Sequence, residues 1–383
     1  MDEKPGDEAP AATPPSPPPP DDSEQPDAST PAGEPPAKKR RWVMRHKALT
    51  AVAVVLVLVA GCSGGYLWWA DRQLSSIPRI DIHIHTPPEK NHHESNKDLN
   101  ILLLGADHGA VGQSVAEDLA DGKWTPFKHL SDTIIVLHIP ADRKSVQMVS
   151  IPRDTWVHID GYPYGNHHAK INAAFSYGGP ELAYKTVQQF TGLTIDHVAV
   201  IDWVGFRELT EALGGVRIYI PETFTDYKQD VTWEKGWHTL EGSDALKYVR
   251  TRHGLANGDF DRMARQQNFL RAIMAKMLSS STTHNPLRFS KVLASLSSYL
   301  TIDSTWDNDE LRSLAWSLRN LHAGDVDFFT APFGSYATID GQSVVRLDMP
   351  QFRFLMRSID DDHVEKYVAR YPGNHLASQT NIN

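Results

Sequence analysis

Four arginines, Arg250, Arg252, Arg262 and Arg265, crowd a stretch that reads YVRTRHGLANGDFDRMARQQNFL, with Asp259 and Asp261 among them. Guanidinium groups at this density either pair with neighbouring carboxylates on a solvated surface or receive a strongly anionic ligand, because the planar fork of Arg matches phosphate oxygens two at a time. Tyr248, Arg250 and Arg252 alternate, so a strand would put them on one face at successive spacings of about 7 Å. Arg262 and Gln266 stand four apart at the front of a helical pattern carried by Met263, Leu270, Ile273, Met274 and Met277. Donors in the first turns followed by an apolar face suit a charged head joined to a hydrocarbon tail.

Other segments offer partners for that chemistry. Asp107 ends the apolar run LNILLLGAD and Asp132 begins SDTIIVLHI. If those strands run antiparallel, both carboxylates reach one rim of the sheet, where they suit Mg²⁺ held by one or two protein oxygens with waters and phosphate oxygens. Either aspartate alone is also ordinary turn chemistry. SIPRD places Arg153 and Asp154 just after an apolar strand that Pro152 stops, so Arg153 leaves the same end of the sheet. KINAAF adds Lys170 and Asn172 at the front of a helical or turn segment, where the helix dipole does not favour a cation and a nearby anion would.

These residues need a sheet to hold them. LNILLLGAD, SDTIIVLHI and SVQMVSI read as buried strands, the last two as an antiparallel hairpin across PADRK. Helices over ELAYKTVQQFTG, WVGFRELTEALGG and NDELRSLAWSLRNL alternate with strands at HVAVID, VRIYI, VDFFTAPF and SVVRLD. The mixture predicts an α/β domain over 98–362 with helices packed on the faces of the sheet, and a frayed tail over 363–383.

Upstream the chain changes character. Residues 1–37 are rich in Pro, Ala and Ser and carry nine acidic side chains against Lys4. They account for nearly all of the net charge of −9, so no global basic character argues for nucleic acid. Together with the basic run KKRRWVMRHK, residues 1–47 are expected as a disordered cytoplasmic tail. Residues 48–69 follow without a charge and end in Tyr66, Trp68 and Trp69, which predicts a single transmembrane helix with the N-terminus cytoplasmic and the remainder outside. Residues 70–97 read as a polar stalk. Cys62, the single cysteine, sits in a VAGC pattern with basic residues upstream that also fits a lipoprotein cleavage site, but the unusually long segment before it and the apolar run past it into an aromatic anchor favour an uncleaved helix. Asp81, His83 and His85 have the spacing of a metal strand, yet Pro87 and Pro88 break that strand at once and no barrel pattern follows.

In chain order, NILLLGAD, SDTIIV, SIPRD, KINAAF, YGG, LGGV, VRTRH and DFDRMARQQ resemble the LytR-CpsA-Psr family of cell-wall glycopolymer ligases, and the likeness covers most of 98–360. The resemblance implies a three-layer domain with a mainly antiparallel central sheet and a slot for a polyisoprenyl chain. It implies Mg²⁺-dependent transfer of a glycopolymer from a polyprenyl-pyrophosphate carrier onto peptidoglycan. Asp107 and Asp132 would hold the metal, and Arg153, Lys170, Arg250, Arg252, Arg262 and Gln266 would bind the pyrophosphate, with Asp132, Arg153, Arg250 and Arg252 at the chemistry. The alternatives are a polyprenyl-pyrophosphate phosphatase and a regulatory membrane protein that binds the lipid carrier without chemistry. The chain departs from the family between Asp107 and Asp132, where the insert ADHGAVGQSVAEDLADGKWTPFKHL has no arginine, so either His129 substitutes or that contact is missing.

Overall fold

Short apolar runs, buried on both sides, make the central sheet of the computed structural model. The structure describes residues 65–66, 68–84, 97–106, 115–120, 124–251, 259–283, 285–374 and 376, all within a compact unit, Ser63–Asn383. The expected tail lies outside them, as does the expected span except Gly65, Tyr66, Trp68, Trp69. Among the described residues no helix is long and apolar enough to cross a membrane.

Strands β1 (Arg79–Ile80), β2 (Leu99–Ala106), β3 (Ser131–Ile139), β4 (Val146–Ile151), β5 (His197–Asp202), β6 (Leu300–Asp303) and β7 (Val326–Thr330) lie side by side in the order β1, β6, β5, β2, β3, β4, β7. The pairs β2–β3, β3–β4 and β5–β6 are antiparallel. The pairs β2–β5, β1–β6 and β4–β7 are parallel. The sheet is therefore mixed, which corrects the expectation of a mainly antiparallel one. Tight turns show only hairpins, whereas β5 and β7 come back after helical segments and are free to return parallel.

Period-two alternation sends the side chains of each strand to opposite layers. Leu102, Leu104, Ile134, Val136, Val198 and Val200 face α2 (Asn172–Thr191) and α6 (Met349–Asp360), meeting Phe175, Tyr184, Phe352 and Leu355. Ile101, Ile135, Met148 and Ala199 face the other layer, where Leu270 and Met274 of α5 (Asp259–Met277) pack with Trp306 and Phe328. Burial on both faces removes the polar alternation and leaves the continuous apolar runs seen in the sequence. A further cluster joins α3 (Trp203–Ala212), α4 (Gly242–Arg250) and α5 to the antiparallel pair Val216–Ile220 and Gly236–Leu240.

Both ends of the domain reach further than expected. Ile77, Ile80 and Ile82, assigned to the stalk, are buried, and β1 is an edge strand of the sheet. In the expected tail, helix Val364–Arg370 buries Tyr367, and the Leu376 N–H donates to the Phe328 carbonyl at 3.0 Å. Helix α2 also begins nine residues ahead of the expected ELAYKTVQQFTG segment, because it runs on through a kink at Gly178, Gly179 and Pro180. Gly179 has φ 69°, and a Cβ there would stand 3.1 Å from the Trp124 ring, so this position requires glycine.

Candidate active site

The strand register decides which polar residues meet. Ala106 pairs with Ser131 and also with Asp202, so the C-terminal ends of β2 and β5 share one rim with the start of β3. Ile151 pairs with Ile134, which brings the end of β4 to the same rim. Arg153 reaches back from there to pair with Asp132 through Nη1 and Oδ1. Its Nε lies 3.9 Å from Asp154 Oδ2, and Asp154 Oδ1 takes Lys170 Nζ at 3.1 Å. The four charges alternate in sign, and each side chain is only about one-fifth exposed. Taking such charges largely out of water offsets much of their mutual attraction. The value of the chain lies in fixing two cations at a sheet edge where a phosphate could be received.

Below this rim lies an apolar slot with about 850 Å³ of empty space. Leu103, Gly105, Thr133 and Ile135 form its sheet wall, Trp203, Phe206 and Leu209 one helical wall, and Gln266, Leu270 and Ile273 the other. Helix α5 thus lends the slot both Gln266 and the aliphatic Leu270 and Ile273. Gln266 Nε2 donates to the Val249 carbonyl at 3.3 Å, tying α5 to α4, and Arg262, one turn earlier, is 4% exposed.

Arg250 is exposed and its guanidinium carbon sits 5.6 Å from the centroid of the Trp203 ring, within cation–π range at the slot wall. It reaches this position from a helix, which corrects the expected strand over Tyr248, Arg250 and Arg252. Ala245, Tyr248 and Val249 are buried at helical spacing, so Tyr248 and Arg250 face opposite ways. Arg265 belongs elsewhere: it is fully buried, 4.5 Å from the Phe224 ring and 5.1 Å from that of Tyr248, and donates to the Thr251 carbonyl. Burial pushes the Tyr248 phenol up, against the opposing effect of Arg265. Asp107, Arg252 and the side chains of Asp259 and Asp261 lie outside the described residues.

The insert does not place His129 at the rim. His129 is fully buried, with Nε2 2.5 Å from Asp118 Oδ2 on α1 (Val115–Ala120) and its ring centroid 5.4 Å from that of Trp124. Lys128 Nζ meets the same carboxylate at 2.6 Å. Burial alone would raise the Asp118 pKa, but the hydrogen bonds from Lys128 and His129 outweigh it and hold the carboxyl below its usual range. Trp124 Nε1 and the Phe127 N–H both donate to the Ser176 carbonyl, at 3.2 and 2.7 Å, docking the insert on the kinked helix. Two residues at the slot escaped the sequence reading. Asp202 caps α3 by accepting from the Gly205 N–H at 2.8 Å, and Trp203 carries Arg250. The junction of HVAVID with WVGF was their only signal.

The molecule is thus a mixed α/β domain with a charged rim beside an apolar slot. The chain belongs to the LytR_cpsA_psr family, whose model matches residues 75–357. It is 36% identical over 280 residues to the cell wall biosynthesis protein LcpA of Corynebacterium glutamicum, covering 66% of this chain and 54% of that protein. It therefore spans about half the length of that relative. It is 29% identical over 270 residues to TagU of Enterococcus faecalis, named a polyisoprenyl-teichoic acid–peptidoglycan teichoic acid transferase, covering 70% of this chain and 81% of that one. The crystal structure of Bacillus subtilis TagV shares the fold, with a TM-score of 0.57 at 24% identity over 70% of this chain and 98% of that chain.

Proposed function

We propose that this protein transfers a glycopolymer from a polyprenyl-pyrophosphate carrier onto peptidoglycan. The observation that carries the reading is the closeness of the Asp132–Arg153–Asp154–Lys170 chain to the slot: Thr133, next to Asp132 in β3, and Ser150, near the end of β4, both line it. The polyprenyl tail would occupy the slot. Arg153 and Lys170 would bind the pyrophosphate from the sheet side, with Arg250, Arg262 and Gln266 on the helical side, and Arg252 would join them. The names of the relatives support the glycopolymer and the acceptor.

In the transfer, an acceptor sugar hydroxyl forms a new P–O bond to the glycopolymer-bearing phosphorus. The bond to the second phosphate breaks, and polyprenyl monophosphate leaves. Asp132 by preference, or Asp154, takes the hydroxyl proton. The arginines stabilise charge on the transferred phosphoryl group, where most of the catalysis of phosphoryl transfer resides. Asp132 and Asp107 would also hold Mg²⁺. Arg153 engages Asp132 Oδ1, so Oδ2 is the oxygen to offer a cation, and one or two carboxylates are the protein's usual share of Mg²⁺ ligands. When bound, that ion would neutralise pyrophosphate charge. The same reading puts 48–69 in the membrane and the domain outside it.

The test is a product assay on full-length protein in detergent, with a sugar-bearing polyprenyl pyrophosphate and peptidoglycan fragments. Arg250→Ala and Arg252→Ala should each lower transfer by about 10²-fold, the scale of losing one electrostatic donor. Full activity in both variants would remove this site. Release of free glycopolymer with none on the acceptor would establish the phosphatase instead.

A further inference from the structure

A second pocket, with about 710 Å³ of empty space, shares Lys170 with the ion-pair chain. Its wall is aromatic. Trp156, Tyr162 and Tyr164 come from the segment after β4, and Phe127 comes from the insert. Phe127 lies 6.3 Å from Tyr164 and 5.9 Å from Tyr177 between ring centroids, and Tyr162 lies 5.5 Å from each of those tyrosines. Phe127 and Tyr164 keep 55% and 56% of their surface exposed, which packing of the domain does not account for. Phe127 also has φ 68°, a conformation that a bulky residue adopts only when its surroundings impose it. Its N–H bond to the Ser176 carbonyl holds it there.

The pocket is not simply greasy. Asn172, Asp340 and Gln342 bring amide and carboxylate groups to its lining. Ser176 also lines it, is 2% exposed, and its Oγ has no hydrogen-bond partner among the described residues. A buried hydroxyl without a partner is costly unless something completes it.

We propose that this pocket is a pyranose subsite. A pyranose ring offers an apolar C–H face, which the electron-rich face of an aromatic ring attracts, and a rim of hydroxyls that need donors and acceptors. Aromatic walls with a few convergent polar groups match that ligand. A hydrocarbon chain would strand the polar groups, and Asp340 disfavours a polyanion. The role of the subsite rests on the function proposed above. It would seat the sugar next to the transferred phosphate, on either the donor glycopolymer or the acceptor glycan. Phe127 makes the insert part of specificity.

The direct test titrates the full-length protein with chitotetraose, a neutral N-acetylhexosamine oligomer, by saturation-transfer NMR, with no donor lipid and no turnover. Tyr164→Ala and Phe127→Ala should each weaken binding at least tenfold, and Tyr164→Phe should retain it. Unchanged binding in the double alanine variant overturns the subsite. Because this readout needs no catalysis, a failure of the transferase reading leaves it interpretable. The transfer assay then identifies the source. A raised KM for a sugar-bearing donor, with hydrolysis of sugar-free geranylgeranyl pyrophosphate unchanged, assigns the donor sugar. A raised KM for the acceptor fragment assigns the acceptor. Neither KM rising contradicts the subsite.

Discussion

At the residue scale, the arginines that look equivalent in the sequence divide by environment. Arg265 is an internal stack between Phe224 and Tyr248, whereas Arg250 is solvent-facing on Trp203. Arg250→Ala should therefore leave the melting temperature within about 1 °C, surface changes being worth about 0.5 kcal/mol or less, while it lowers transfer. Arg265→Ala should unfold the domain well before it informs on catalysis. Differential scanning fluorimetry on both variants separates the two roles. Asp118 makes a pH prediction. Its folded pKa is depressed, so the stability it contributes is present above the ordinary carboxylate pKa and is lost as pH falls through the lower folded value. Hydrogen exchange of residues 124–130 should accelerate across that acidic window, and Asp118→Asn should remove the dependence. A flat profile in the natural protein would show that Asp118 does not hold the insert.

At the scale of elements, the glycine kink in α2 is what lets the insert dock. Gly179→Ala puts a Cβ into the Trp124 ring and forces an L-residue to φ 69°, which should cost about 1–3 kcal/mol and expose the Trp124 region to exchange. Chemical denaturation gives the magnitude. The slot makes a complementary prediction: Leu270→Trp should fill it and abolish lipid capture with a modest loss of stability, overpacking costing about 1–3 kcal/mol. Much of this was legible in the chain. The strands of the SDTIIV and SIPRD segments show their apolar runs, and their hairpin sends Asp132 and Arg153 to one rim, as the ion pair records. Helix α5 shows its change from donors to aliphatics in its periodicity. The strand assigned to Tyr248, Arg250 and Arg252 failed because alternation over three polar-biased positions fits a helix end equally well, and the buried Ala245 and Val249 decide it only through tertiary packing. The mixed sheet, Trp203 beneath Arg250 and the burial of His129 depend on contacts between distant segments, which no local pattern encodes.

At the scale of the whole molecule, a domain described from the residues after Ser63 carries an apolar slot beside a charged rim. A basic run and a charge-free 48–69 segment precede it in the chain. In the proposed reading, a carrier whose tail fills the slot would present its pyrophosphate to that rim, where the peptidoglycan acceptor would meet it. On the proposed function, the aromatic pocket beside Lys170 would give the sugars a place next to the phosphates. The most direct measurement is native mass spectrometry of the full-length protein released from membranes in mild detergent. A bound adduct with the mass of a polyprenyl phosphate or pyrophosphate is expected, present in the natural protein and lost in Leu270→Trp. A natural protein that carries no such lipid, even after incubation with polyprenyl pyrophosphate, would contradict it.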